Sequence, residues 1–135
     1  MPQNNKLHGT PQEWLARAKS NLSLAHVKRP EDVFLEDMCF NAQQAVEKAL
    51  KAVLQYKGIV YRYVHDIEEL ITTLTEHGIS VPENIREAVC LTQYAVETRY
   101  PGDFEPVTED EFKEVLTIAE KVVDWVESQI TLSES

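Results

Sequence analysis

Between Phe34 and Lys57 the chain carries one unbroken apolar stripe at Leu35, Met38, Cys39, Ala42, Ala45, Val46, Ala49, Leu50, Val53 and Leu54. These positions keep the 3.6-residue period over about six turns, which specifies a long helix with a buried side. Gly58 follows where such a helix would stop. A lone helix of this kind leaves its stripe in water, so the rest of the chain has to supply helices that cover it.

It does so on both sides. Thr10-Pro11-Gln12-Glu13 reads as a capping box with proline in the first helical turn, and Trp14, Leu15, Ala18, Leu22 and Ala25 follow at helical spacing. Pro30 places a loop over Val27–Asp32, because the residue before proline resists helix. After the long helix, Ile59–Val64 has strand-like composition but nothing to pair with, and reads as a loop with buried aromatics. A third helix is expected over Asp66–His77, with Ile67, Leu70, Ile71 and Leu74 inward and Gly78 beyond its end. A fourth opens near Pro82 and runs to about Arg99, with a weaker stripe at Ile85, Val89, Thr92, Ala95 and Val96. Tyr100-Pro101-Gly102-Asp103 breaks the chain. A second capping box, Thr108 to Glu111, then starts a helix that buries Phe112, Val115, Leu116, Ala119, Val122, Val123 and Val126. The expectation is an all-α, up-and-down bundle of about five helices. Residues 1–9 form a flexible lead, 10–130 the bundle, and 131–135 a disordered tail.

Composition agrees. The 135 residues fit one domain, and a 43% hydrophobic content can fill its core without a metal or a disulfide. Cys39 and Cys90 read as small core residues of a reducing compartment. No apolar run approaches the roughly 20 residues of a membrane span, and the polar start lacks a signal-peptide core, so a cytoplasmic location is expected. The formal net charge of −10 disfavours broad contact with a nucleic-acid backbone, but a pocket for one phosphate needs only a few local cations.

Asn41, Gln44, Glu47, Lys48 and Lys51 share a face of the long helix. The plain reading is a solvated face with a Glu47–Lys51 ion pair. The functional one has Gln44 and Lys48 lining a cleft. Asp66 suits a helix N-cap, and His65 beside it is a ligand, an acid–base group or a helix-start side chain. Tyr94, Arg99 and Tyr100 close the fourth helix. There Arg99 either complements the helix dipole or grips phosphate, and the tyrosines can stack on a base. No set of His, Cys and carboxylates has zinc spacing, and there is no glycine-rich phosphate loop. No metal or other cofactor is expected.

Three segments taken in order, Cys39–Leu54, His65–Leu70 and Gln93–Phe104, resemble the HEPN family of prokaryotic helical domains, and the helix from Glu109 to Ser128 resembles that family's last helix. The resemblance spans about residues 10 to 130. It implies a helical bundle that forms homodimers, is often encoded beside a small nucleotidyltransferase, and in many members cleaves RNA as a toxin or defence protein. Gln44, Lys48, His65 and Arg99 match recurring family positions, and Tyr94 and Tyr100 match as aromatics. With Asp66 they make up the candidate nucleotide-binding set.

The ribonuclease branch carries an arginine followed, after four to six residues, by a histidine. From Arg99 those positions are Phe104, Glu105 and Pro106, and from Arg86 they are Leu91, Thr92 and Gln93. The pattern is absent, so no catalytic residue is assigned. The sequence is read as a non-catalytic module for a nucleotide or a nucleotidyltransferase partner. The alternatives are a metal-independent ribonuclease toxin and a purely structural dimeric scaffold.

Overall fold

The computed structural model describes residues 9–95 and 106–134. Its helices, in chain order, are α1 (Pro11–His26), α2 (Leu35–Tyr56), α3 (Ile67–Glu76), α4 (Glu83–Arg86), a 3₁₀ helix (Glu87–Tyr94) and α5 (Glu109–Glu134). Among the described residues there is no strand, as the helical periodicity requires. No helix among them is long and apolar enough to cross a membrane.

The ends of the helices follow from the local sequence. Thr10 Oγ1 accepts a hydrogen bond from the Glu13 amide at 3.1 Å, and Thr108 Oγ1 does the same for Glu111 at 3.1 Å. Asp66 Oδ1 caps α3 by accepting from the Glu68 amide at 3.0 Å. At the end of α2, the Ile59 amide reaches back to the Leu54 carbonyl at 2.9 Å and the Gly58 amide to Gln55 at 3.0 Å. This closure needs a left-handed residue, which Gly58 supplies with a φ of 71°.

α2 is the central rod. α1 and α5 pack along it and along each other, while α3 and the 3₁₀ helix cover its other flank. Ala42, Ala45, Ala49 and Ala52 of α2 are fully buried, as are Ala18 and Ala25 of α1. Such small side chains let the helix axes approach closely. Surface pairs fix the direction of α5. Lys19 meets Glu127, His26 meets Glu120 at 2.6 Å, and Arg29 meets Glu109 at 3.5 Å. The rising α1 numbers meet falling α5 numbers, so these two helices are antiparallel. Trp14 against Lys51 and Asn21 against Asn41 make α1 and α2 antiparallel as well.

Several expectations need correction. The fourth helix is not one α-helix: after α4 the chain tightens into 3₁₀ geometry and turns at Ala95. The reason is a change of period. Ile85, Ala88, Leu91 and Tyr94, all buried, recur every third residue, which is the repeat of a 3₁₀ helix, so the expected stripe at Val89 and Thr92 is only half-buried. The expected course from Val96 to Arg99 lies outside the described residues. In the Ile59–Val64 loop Tyr61 packs on the core, but Tyr63 is 78% exposed. Cys39 is a core residue as expected, whereas Cys90 lies at the surface, and neither forms a disulfide. α5 runs on to Glu134, past the boundary expected at 130.

Candidate functional site

A helix at the centre of a bundle has no solvated face, so polar residues on it must find partners inside the protein. α2 meets this condition with a network. Gln43, Glu47 and Lys51 are buried, at i, i+4 and i+8. The expected solvated Glu47–Lys51 pair is therefore a buried one, because α1 lies over that face of α2.

Glu47 is the hub. It accepts from Gln43 Nε2 at 2.7 Å and from Lys51 Nζ at 3.0 Å. His65 Nδ1 stands 2.9 and 3.1 Å from its two oxygens. An ionised carboxylate can only accept, so Nδ1–H donates to Glu47, which leaves Nε2 as the ring nitrogen that Glu47 does not engage on a side chain that is largely exposed. Gln44 Nε2 extends the network by donating to Gln43 Oε1 at 2.8 Å. The Lys51 ammonium also lies 5.6 Å from the Trp14 ring centroid and 5.8 Å from that of Tyr63. One buried cation is thus satisfied by a carboxylate and two π faces.

One turn back, Lys48 is placed differently. Its Nζ donates to Asn21 Oδ1 at 2.8 Å, a neutral acceptor that in turn donates through Nδ2 to Asn41 at 3.1 Å. Partial burial pushes the Lys48 ammonium below its ordinary pKa, and the nearby Arg17 and Lys51 cations push it further, against an opposing pull from Glu47. Arg17 itself pairs with Glu13 at 2.9 Å. Arg17 and Lys51 thus both act on Lys48, although each is itself paired with a carboxylate.

Of the sequence candidates, Gln44 and His65 belong to one continuous network through Gln43 and Glu47, with Lys48 beside it. Asp66 caps α3 and adjoins that network as the chain neighbour of His65. Tyr94 is buried in the 3₁₀ helix, and its hydroxyl donates to Glu111 of α5. Its ring is thus part of the packing. Arg99 and Tyr100 lie outside the described residues. Sequence reading missed Trp14, Arg17 and Asn21, although their spacing of three and four places them on the α1 face that meets α2. It also missed Gln43. Among the described residues no group of His, Cys and carboxylates could hold a metal ion.

The arrangement of the helices has counterparts. The family model of the HEPN domain matches residues 11–129. The chain belongs to the HEPN family. Two solved structures superpose on this HEPN protein over 90% of its length and 98% of theirs. One is ST0689, described as an archaeal HEPN homologue, at 28% identity and a TM-score of 0.71. The other is TT1696 from the bacterium Thermus thermophilus, at 33% identity and a TM-score of 0.74. No match was found among curated proteins. The sequence resemblance named the right family, and the match extends through the segments that carried it.

Proposed function

We propose that this HEPN protein is a binding module for a nucleotide, with Lys48 at the phosphate end. The observation that carries the reading is the setting of Lys48: a cation hydrogen-bonded to a neutral amide, disfavoured first by partial burial and then by Arg17 and Lys51, with only Glu47 pulling the other way. An arriving phosphate relieves that repulsion, whereas a lysine already paired with a carboxylate gains little. The net charge of −10 favours a compact anion over an extended nucleic-acid strand. A nucleotidyltransferase partner and a homodimer, both implied by family resemblance, are compatible with a module of this kind.

Thermal unfolding with ATP, GTP, CTP and UTP tests it. A ligand that binds only the native state raises the melting temperature, by an amount that grows with its concentration above Kd. The expected result is a rise for at least one nucleotide, lost in Lys48→Met. An unchanged melting curve with every nucleotide defeats the proposal.

The exposed His65 ring, held through Nδ1 by Glu47, supports a second reading as a ribonuclease. A histidine so oriented has the form of a general base for a ribose hydroxyl. That reading requires RNA cleavage without added metal that His65→Gln abolishes. Cleavage that survives this substitution assigns the activity elsewhere.

A further inference from the structure

The loop between α2 and α3 carries the two most exposed large apolar side chains among the described residues, Val60 at 89% and Tyr63 at 78%. From Ile59 to Val64 the chain runs without a turn or bend. Ile59 is buried, Val60 exposed, Tyr61 half-buried and Arg62 exposed, which is the alternation of a strand lying on a core. The Tyr61 and Tyr63 rings meet edge-to-face with centroids 5.7 Å apart, as residues two apart on one side of a strand can. Five of the six residues are β-branched or aromatic. The Ile59 amide closes α2, but no amide or carbonyl from Val60 to Val64 makes a backbone hydrogen bond to another described residue. The segment thus has the composition and alternation of a strand and lacks only the ladder. Backbone in that state is a template for a second strand.

Alongside it, Gln55, Gly58, Ile59, Val60, Tyr61 and Tyr63 line an open groove of about 260 Å³. Unpaired backbone beside a groove is the arrangement of strand addition, in which main-chain bonds supply affinity and pockets for alternate side chains supply specificity. Charge narrows the kind of partner. Between Glu47 and Asp66 there is no acidic residue, although the net charge of the chain is −10, and Lys48, Lys51, Lys57 and Arg62 fall in that stretch. Lys51 is buried against Glu47, but Lys57 and Arg62 are exposed. Arg62 meets Glu69 at 3.2 Å through Nε, in a pair too exposed to hold it firmly. Two copies of this segment laid together would join two cationic edges, whereas an acidic strand complements one.

We propose that Val60–Val64 is a docking edge for an extended acidic segment of a partner protein, which adds to it as a second strand. The side chains of the added strand then alternate. Those on the inner side meet the Tyr61 and Tyr63 rings and the groove, and are apolar. Those on the outer side meet Val60 and Arg62, where a carboxylate pairs with the guanidinium. Lys48 takes no part, so this edge and the nucleotide site stand or fall separately.

Selection of random peptides of about twelve residues on the full chain, followed by calorimetry with the synthetic consensus peptide, tests the proposal. The expected consensus alternates apolar residues with aspartate or glutamate. Methylation of single peptide nitrogens is expected to weaken binding about tenfold at every second position and to leave the positions between unchanged, because only alternate amides of an added strand face the edge. Val60→Asp and Arg62→Glu alter exposed side chains, and each is expected to weaken binding by about fivefold. Selection on Arg62→Glu is expected to exchange acidic for basic residues in the consensus. Hydrogen exchange at the Val60–Val64 amides is expected to be fast in the free chain and slowed by the peptide. Failure to enrich any peptide, a consensus without alternation, or a methylation scan without a period of two overturns the proposal. So does a dimer in sedimentation equilibrium that Val60→Asp dissolves, because a second copy would then occupy the edge.

Discussion

Glu47 and His65, eighteen residues apart in sequence, meet with the histidine Nδ1 at 2.9 and 3.1 Å from the two carboxylate oxygens. The contact joins the buried centre of α2 to the loop that follows it. It also places the loop's Tyr63 over Lys51, so that the carboxylate, the cation and the ring hold one another in place.

Removal of the hub therefore exposes the cost of the whole network. Glu47→Ala leaves the Lys51 ammonium buried without its carboxylate, and breaking a buried pair from one side costs about 3–5 kcal/mol. The double variant Glu47→Leu, Lys51→Met leaves no orphan charge and should recover most of that loss. Denaturant unfolding midpoints measure both. A single variant within about 0.5 kcal/mol of wild type would show that the pair is solvated after all.

Much of this fold is legible in the sequence, for reasons that differ by element. The α2 stripe and the threonine caps of α1 and α5 are local signals, and they placed the starts of those helices to within a residue. The region after Pro82 misled because Ile85, Ala88, Leu91 and Tyr94 repeat every third residue, a period that a search for 3.6 passes over. The polar face of α2 misled for a different reason. Nothing in Glu47 or Lys51 says that α1 will lie on top of them. That depends on Ala18 and Ala25 drawing the two helices together, which is a property of pairs of elements. His65 was visible as a candidate, but its partner was not.

Lys48 provides a test in pH. Its native pKa lies below the ordinary 10.5, through partial burial and then the repulsion of Arg17 and Lys51. Between the native value and 10.5 the unfolded chain binds more protons than the folded one, so folding stability rises with pH across that window. The penalty for the charged form is fully present below the native pKa. Lys48→Met removes it, so wild type should gain stability relative to the variant as pH rises through the window. An NMR titration of the Lys48 side chain gives the pKa directly, and tripolyphosphate should move it upward. A ligand-free value at or above 10.5 contradicts the crowding of cations.

Cys90 is at the surface but is not expected to be reactive. Partial burial, followed by the Glu87 and Glu114 carboxylates, pushes its thiol above the ordinary pKa. The thiolate is the nucleophile, so at about pH 8 Cys90 should be alkylated by iodoacetamide more slowly than an unstructured cysteine peptide. Glu87→Gln should speed the reaction. Cys39, fully buried, should react only after unfolding. Alkylation of Cys90 as fast as the peptide would mean that its surroundings do not disfavour the thiolate.

Tyr94 separates packing from recognition. Its ring is 3% exposed at the end of the 3₁₀ helix, and its hydroxyl donates to Glu111 near the start of α5. The bond ties the last described turn before residue 96 to the helix that resumes at Glu109. Tyr94→Phe keeps the ring and deletes the donor, so it should lower stability by about 1–2 kcal/mol, the usual range for a lost bond to a charged acceptor. A ring with no open face cannot carry a stacked base, so the affinity for nucleotide should stay within about twofold of wild type once the protein is folded. Unfolding midpoints and calorimetry on the same preparation give both numbers. Unchanged stability with a large loss of nucleotide binding would return Tyr94 to the ligand site and move that site towards the end of the 3₁₀ helix.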